Sequence, residues 1–144
     1  MVILDTDVIT LLNYATSDGT APISRRLAEL ADDEIAVSMV TFEEQMRGWL
    51  RVLAEARTDG ELVRAYRKLR AVLEQVSRYQ ILDFDDAAAG WFHDLRQQRL
   101  RLGTMDLRIA AIALAHDALL ISRNLVDFQK VPGLRVEDWT LPTP

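Results

Sequence analysis

The order of apolar runs and amphipathic segments predicts an α/β protein built on a mostly parallel sheet of four to five strands. Residues 2–4, 35–40 and 118–122 are apolar without alternation, as in strands covered on both faces. Between them lie longer stretches whose apolar residues recur three or four apart, the spacing of amphipathic helices. Strands that alternate with helices are joined by crossovers and pair in parallel, so helices cover both sides and the architecture is three-layer α/β/α.

The first run ends at Asp5. Thr6 and Asp7 are both helix-capping residues, and Val8, Leu11, Leu12 and Ala15 come next with helical spacing. Ser17-Asp18-Gly19-Thr20 reads as a loop and Pro22 as a helix start, with Ile23, Leu27 and Leu30 on one face as far as Asp32-Asp33. After the run at 35–40, Thr41 opens a helix with Met46, Trp49, Leu50 and Leu53 on its apolar side. Thr58-Asp59-Gly60 breaks it, and Leu62, Tyr66, Leu69, Leu73 and Val76 mark the next one. Two amphipathic helices across a tight turn make a protruding helical hairpin over roughly residues 43–78. Residues 80–84 are a short strand, and Asp85-Asp86 caps a helix that runs to about Leu100. Gly103 and Thr104 separate it from a very apolar helix at 105–116, which leads into the strand at 118–122. Pro132-Gly133 makes a turn before an edge strand at 134–136.

The 144 residues fit one domain spanning 1–144, without repeat or linker. Cysteine is absent and His93 and His116 are the only histidines, which excludes thiolate chemistry and disfavours a zinc site. A metal here would be held by oxygen, which favours Mg²⁺ with Mn²⁺ as the alternative. Net charge is −5, which argues against sequence-blind binding of nucleic acid through a basic surface. No stretch is long enough to span a bilayer, and a soluble cytoplasmic protein is expected.

The residues just past the core strands suggest the chemistry. Asp5 comes after the first, Glu43 and Glu44 after the second, and Asn124 and Asp127 after the third; Asp106 lies in the first turn of the apolar helix. Parallel strands point their carboxyl ends one way, so these groups converge on the edge where open α/β sheets place ligands. Each also has a local reading. Asp5 and Asp7 suit helix caps, Thr41-Phe42-Glu43-Glu44 matches a capping box, and Asp106 complements a helix dipole.

Several pieces resemble, in order, the PIN-domain ribonucleases, and among them the VapC-type toxins of toxin–antitoxin pairs. They are Ile3-Leu4-Asp5-Thr6-Asp7, the stretch from Ser38 through Thr41-Phe42-Glu43-Glu44 to Gly48, and Asp106-Leu107-Arg108-Ile109-Ala110-Ala111. Ser122-Arg123-Asn124-Leu125-Val126-Asp127-Phe128 and Val131-Pro132-Gly133-Leu134 complete the set. The resemblance implies a PIN-like fold and Mg²⁺-dependent hydrolysis of RNA phosphodiester bonds. It assigns Asp5, Glu44 and Asp106 as acidic metal ligands, Glu44 lying four residues before Gly48 as in the family. The fourth acidic position falls on Asn124 or on Asp127, which joins the catalytic set. Thr6 and Ser122 match hydroxyl positions near the metal, and Asp7 stands where the family usually has Asn or Ser. An antitoxin partner and a homodimer are also implied, with the hairpin around Trp49, Leu53, Tyr66, Leu69 and Leu73 as the apolar surface for both. Arg96, Arg99 and Arg101, just before Asp106, are either contacts to flanking RNA phosphates or ordinary helix-surface charge.

Two other classes compete. The Asp5-Thr6-Asp7 triplet after a strand is similar to that of haloacid-dehalogenase-like phosphatases, whose phosphorylated aspartate works beside a lysine. Lys68 and Lys130 are the only lysines here. The third class is a protein-binding module with a degenerate site, which Asn124 keeps open.

Overall fold

The computed structural model describes residues 1–14 and 17–142. Strand β1 (Val2–Leu4) leads into α1 (Thr6–Tyr14) and α2 (Ser17–Leu27); a 3-10 turn at Asp32–Glu34 precedes β2 (Ile35–Ser38). The hairpin comes next as α3 (Met39–Glu55) and α4 (Asp59–Val76), then β3 (Gln80–Leu82) and α5 (Asp86–Gln97). The chain ends with α6 (Thr104–Ala115), β4 (Leu119–Ile121), the short α7 (Leu125–Phe128) and β5 (Arg135–Glu137).

All five strands are parallel, in the order β3-β2-β1-β4-β5. β1 is therefore the central strand, with Leu4 level with Val37 on one side and Ile121 on the other. Its uninterrupted apolar run results from burial on both faces. Ile3 points into a core with Ala110, Leu95 and Phe128 of α6, α5 and α7; Val2 and Leu4 point into another with Val8, Ile9, Ile23 and Val72 of α1, α2 and α4. These are the three layers that the strand–helix alternation predicts. Among the described residues, no helix is long and apolar enough to cross a membrane.

Several local readings are corrected. Ser17-Asp18-Gly19-Thr20 is helical, and Pro22 lies inside α2 instead of opening it. Short polar residues serve a first helical turn as readily as a loop, so sequence does not separate the two. β2 stops at Ser38, two residues before the end of its apolar run, because the Ser38 hydroxyl accepts from Thr41 N at 3.0 Å and caps α3. Thr41 is thus inside the helix, and the capping box ending at Glu44 is not formed. α5 stops at Gln97 and not near Leu100. Asp127 lies in the short α7. Ala15, the last residue of the helical face read from the sequence, falls outside the described residues.

The hairpin is present, but its buried stripe differs from the one the sequence suggests. α4 turns Ala65, Val72, Gln75 and Val76 inward and leaves Leu62, Tyr66 and Leu73 exposed. Gly133 makes its turn at φ +79°, a conformation in which a Cβ would be strained.

Candidate active site

The site grows from the end of β1. Asp5 N donates to Ile121 O of β4 at 2.9 Å, while its carbonyl accepts from Val8 N and Ile9 N and starts α1. The Asp5 side chain, 5% exposed, is held at both oxygens: Thr6 N donates to Oδ1 at 2.8 Å and Ser122 Oγ to Oδ2 at 2.7 Å. Burial pushes its pKa up to about 7; the charges of Asp7 and Asp106 push the same way, and the bonds from Ser122 and Thr6 oppose them.

Glu44 enters from α3. Thr6 Oγ1 lies 2.8 Å from Glu44 Oε1 and 3.2 Å from Thr41 Oγ1; its single proton goes to the nearer carboxylate. Glu43, one residue earlier and about 100° round the helix, pairs instead with Arg47 at 2.7 Å and Arg108 at 4.0 Å. Of the adjacent glutamates, Glu44 lines the cleft with Asp5 and Glu43 does not.

Asp106 sits in the first turn of α6, half-buried. Burial raises its pKa, and the charges of Glu44, Asp127 and Asp7 raise it further. Asp7 accepts from Arg123 N at 3.2 Å through Oδ2, and its buried Oδ1 has no hydrogen-bond partner among the described residues. Asp5, Asp7, Glu44 and Asp106 all line one open cleft of about 430 Å³, together with Thr6, Thr10, Arg123 and Asn124. Parallel strands and the α6 N-terminus have therefore brought the acids to one edge.

Of the other residues named from sequence, Asn124 lines the cleft and the rest do not. Asn124 N donates to Ser122 Oγ at 3.0 Å, and Asn124 Nδ2 to Asp127 Oδ2 at 3.1 Å. Asp127 also pairs with Lys130 Nζ at 2.7 Å; Lys130 first and Asn124 second hold its pKa below the usual carboxylate value. Arg96, Arg99 and Arg101 are exposed and are not among the residues lining the cleft. Arg96 stacks on the Phe92 ring at 4.9 Å, and the Arg101 carbonyl accepts from Lys130 Nζ at 2.9 Å. Sequence reasoning missed Arg123 as the cleft's basic residue. Its position two residues after β4, next to Ser122, was the available signal.

Among the described residues, no three Asp, Glu or His side chains form a ready-made metal cage. The donor set is nonetheless all oxygen, neighbouring carboxylates help to raise the pKa of Asp5 and of Asp106, and one buried carboxylate oxygen of Asp7 has no hydrogen-bond partner among the described residues. Those features fit a hard, hydrated dication such as Mg²⁺, which keeps several waters and uses few protein ligands.

A five-stranded parallel sheet with carboxylates clustered past its central strands defines an α/β protein with an acidic, oxygen-lined cleft. The chain belongs to the PIN-domain family, whose model matches residues 2–134. It is 29% identical over 119 residues to the tRNA(fMet)-specific endonuclease VapC of Salmonella typhimurium, covering 80% of this chain and 83% of that one. Ribonuclease VapC1 of Haemophilus influenzae is 28% identical over 142 residues, 95% of this chain and 96% of its own. Among solved structures, DNA-bound VapBC from Salmonella typhimurium superposes with a TM-score of 0.76 at 26% identity, over 96% of this chain and 97% of that one. VapBC-1 from nontypeable Haemophilus influenzae gives a TM-score of 0.76 at 25% identity, over 98% and 100%. The resemblance to VapC-type toxins is thereby borne out.

Proposed function

We propose that this chain is an endoribonuclease of VapC type, the toxin of a toxin–antitoxin pair, which cuts RNA phosphodiester bonds with Mg²⁺ or Mn²⁺. The observation that carries the reading is the cleft in which Asp5, Asp7, Glu44 and Asp106 meet in a PIN-family chain. Asp5, Glu44 and Asp106 would hold the dication, which when bound supplies a Lewis acid for the phosphate and a more acidic water. Ser122 and Thr6 N fix Asp5, and the Thr6 hydroxyl fixes Glu44. Arg123 brings a guanidinium to the rim where the phosphate arrives. Asp127 and Asn124 support the site from its edge, Asp127 with its charge already offset by Lys130.

The phosphatase reading loses its lysine here. Lys130 is paired with Asp127, and Lys68 lies over the rings of Tyr14 and Trp49 at 5.3 Å and 5.7 Å. The relatives' names and complexes support an antitoxin partner. Exposed Leu62, Tyr66 and Leu73 on the outer face of α4 suit that partner or a second copy of the chain.

The test is cleavage of RNA by the purified chain. Activity with Mg²⁺ or Mn²⁺, lost in EDTA and abolished by Asp5→Asn or Asp106→Asn, is expected. Undiminished cleavage in excess chelator would defeat the reading, and no cleavage at any metal concentration would favour the protein-binding module.

A further inference from the structure

Asp127 stands apart from the acids that line the cleft, because it already has a cation. Lys130 Nζ lies 2.7 Å from Asp127 Oδ1 and also donates to the Arg101 carbonyl at 2.9 Å. That carbonyl belongs to the segment between α5 and α6, just before the helical turn that carries Asp106. The other Asp127 oxygen accepts from Asn124 Nδ2 at 3.1 Å; Asn124 N donates to Ser122 Oγ at 3.0 Å, and Ser122 Oγ to Asp5 Oδ2 at 2.7 Å. The ammonium is thus tied at two points, at the far end of a line of hydrogen bonds that starts at Asp5. The charge of Asp127 nonetheless reaches Asp106, whose pKa it raises after burial and Glu44.

We propose that Lys130 takes the place of a second metal ion, so that the cleft holds one dication and not two. The proposal rests on the dication reading above and adds to it the number of ions. Two dications a few Å apart need carboxylates on both to offset their repulsion. Here the acid at the fourth position has both oxygens engaged, and a dication reaches it only by displacing the ammonium and the Asn124 amide. Asn124, the other residue at that position, is neutral and supplies no charge for a second ion. An exposed lysine with one partner gives up side-chain entropy to hold it. The second bond, to the Arg101 carbonyl, fixes the ammonium between α7 and the approach to α6. Arg123 does not serve this purpose, since its guanidinium faces Asp7 at 3.7 Å.

The experiment titrates the full chain with Mn²⁺ in the absence of RNA and counts bound ions from the loss of the free-ion signal in electron paramagnetic resonance. The parent is expected to bind one Mn²⁺ per chain. Lys130→Met and Lys130→Gln should each bind two, the glutamine variant because its amide keeps a donor for Asp127 but carries no charge. Lys130→Arg should stay at one. Adding Asp127→Asn to Lys130→Met should return the count to one, an effect that loss of the strap to Arg101 does not produce. Two ions in the parent would overturn the proposal, as would a single ion in both the methionine and glutamine variants. A double variant that still binds two would also overturn it, by placing the second ion away from Asp127. A parent that binds no Mn²⁺ defeats the dication reading and the proposal together. A parent that binds one ion but cuts no RNA defeats the nuclease reading and leaves the count standing.

Discussion

Ser122 Oγ donates to Asp5 Oδ2 at 2.7 Å, joining side chains just past the ends of the neighbouring strands β4 and β1. The same oxygen accepts from Asn124 N at 3.0 Å, so its proton is directed at the carboxylate. This bond stabilises ionised Asp5 against the burial that favours its protonated form. Ser122→Ala should therefore raise the proton affinity of Asp5 further. Cleavage at neutral pH should fall about ten-fold, each pKa unit being a ten-fold change, and should recover as pH is raised. A pH–rate profile that drops without moving would show that Ser122 acts only through packing.

The metal-free protein should lose stability as pH rises from the acid range to neutrality. The folded-state pKa of Asp5 lies near 7 against 3.8 unperturbed, and that of Asp106 is also raised. Between those values the folded chain binds more protons than the unfolded one, so ∂ΔG/∂pH is negative. At ~1.4 kcal/mol per unit, the penalty amounts to a few kcal/mol when Asp5 is fully ionised. Urea midpoints in EDTA at the acid and neutral ends of this window measure it. Saturating Mg²⁺ should flatten the slope, because the ion replaces the proton.

Asp106→Asn should raise the melting temperature of the metal-free chain while cleavage vanishes. Its carboxylate is repelled by Glu44, Asp127 and Asp7, and the amide is not. Mg²⁺ should stabilise the parent chain by binding its folded state, and should stabilise the Asn variant much less. Paired melts with and without Mg²⁺ decide. A variant that melts lower than the parent in EDTA would mean that Asp106 serves the α6 dipole, worth about 0.3–1 kcal/mol, and not a shared cation.

Asp127 should matter less than its three partners. With Lys130 Nζ at 2.7 Å and Asn124 Nδ2 at 3.1 Å, both its oxygens are committed. Asp127→Asn should cost about ten-fold in cleavage, the scale of a residue that supports a ligand, while Asp5→Asn abolishes it. Lys130→Met, which releases the Asp127 carboxylate, should lower the Mg²⁺ concentration for half-maximal stabilisation. An unchanged Mg²⁺ requirement would place Asp127 outside the field of the ion.

The sheet was legible because every core strand is buried on both faces, which leaves the plain apolar runs at Val2, Ile35 and Leu119. The site was legible for the same reason, since parallel strands must deliver Asp5, Glu44 and Ser122 to one edge. What sequence obscured was decided by single hydrogen bonds. Ser38 and Thr41 are both competent caps, and only the folded backbone shows that Ser38 Oγ takes Thr41 N. Likewise Leu62, Tyr66 and Leu73 have the spacing of a buried stripe, but α4 buries Ala65, Val72 and Val76 instead, the two valines packing with the strands. That Asp127 is paired with Lys130, three residues on, is likewise shown only by the folded chain.

The central place of β1 has a consequence for how the chain comes to life on the ribosome. Its first strand can pair with β2 early, but its other edge stays open until β4, residues 119–121, has been synthesised. The bond that fixes Asp5 needs Ser122, and the cleft needs Asp106 from the helix just before that strand. Partners so far apart along the chain meet late in folding. A nascent chain therefore carries its first acid for most of its synthesis without a working site. A product truncated before β4 would lack Ser122, Arg123 and Asn124, and with them the bond that holds Asp5 and one wall of the cleft.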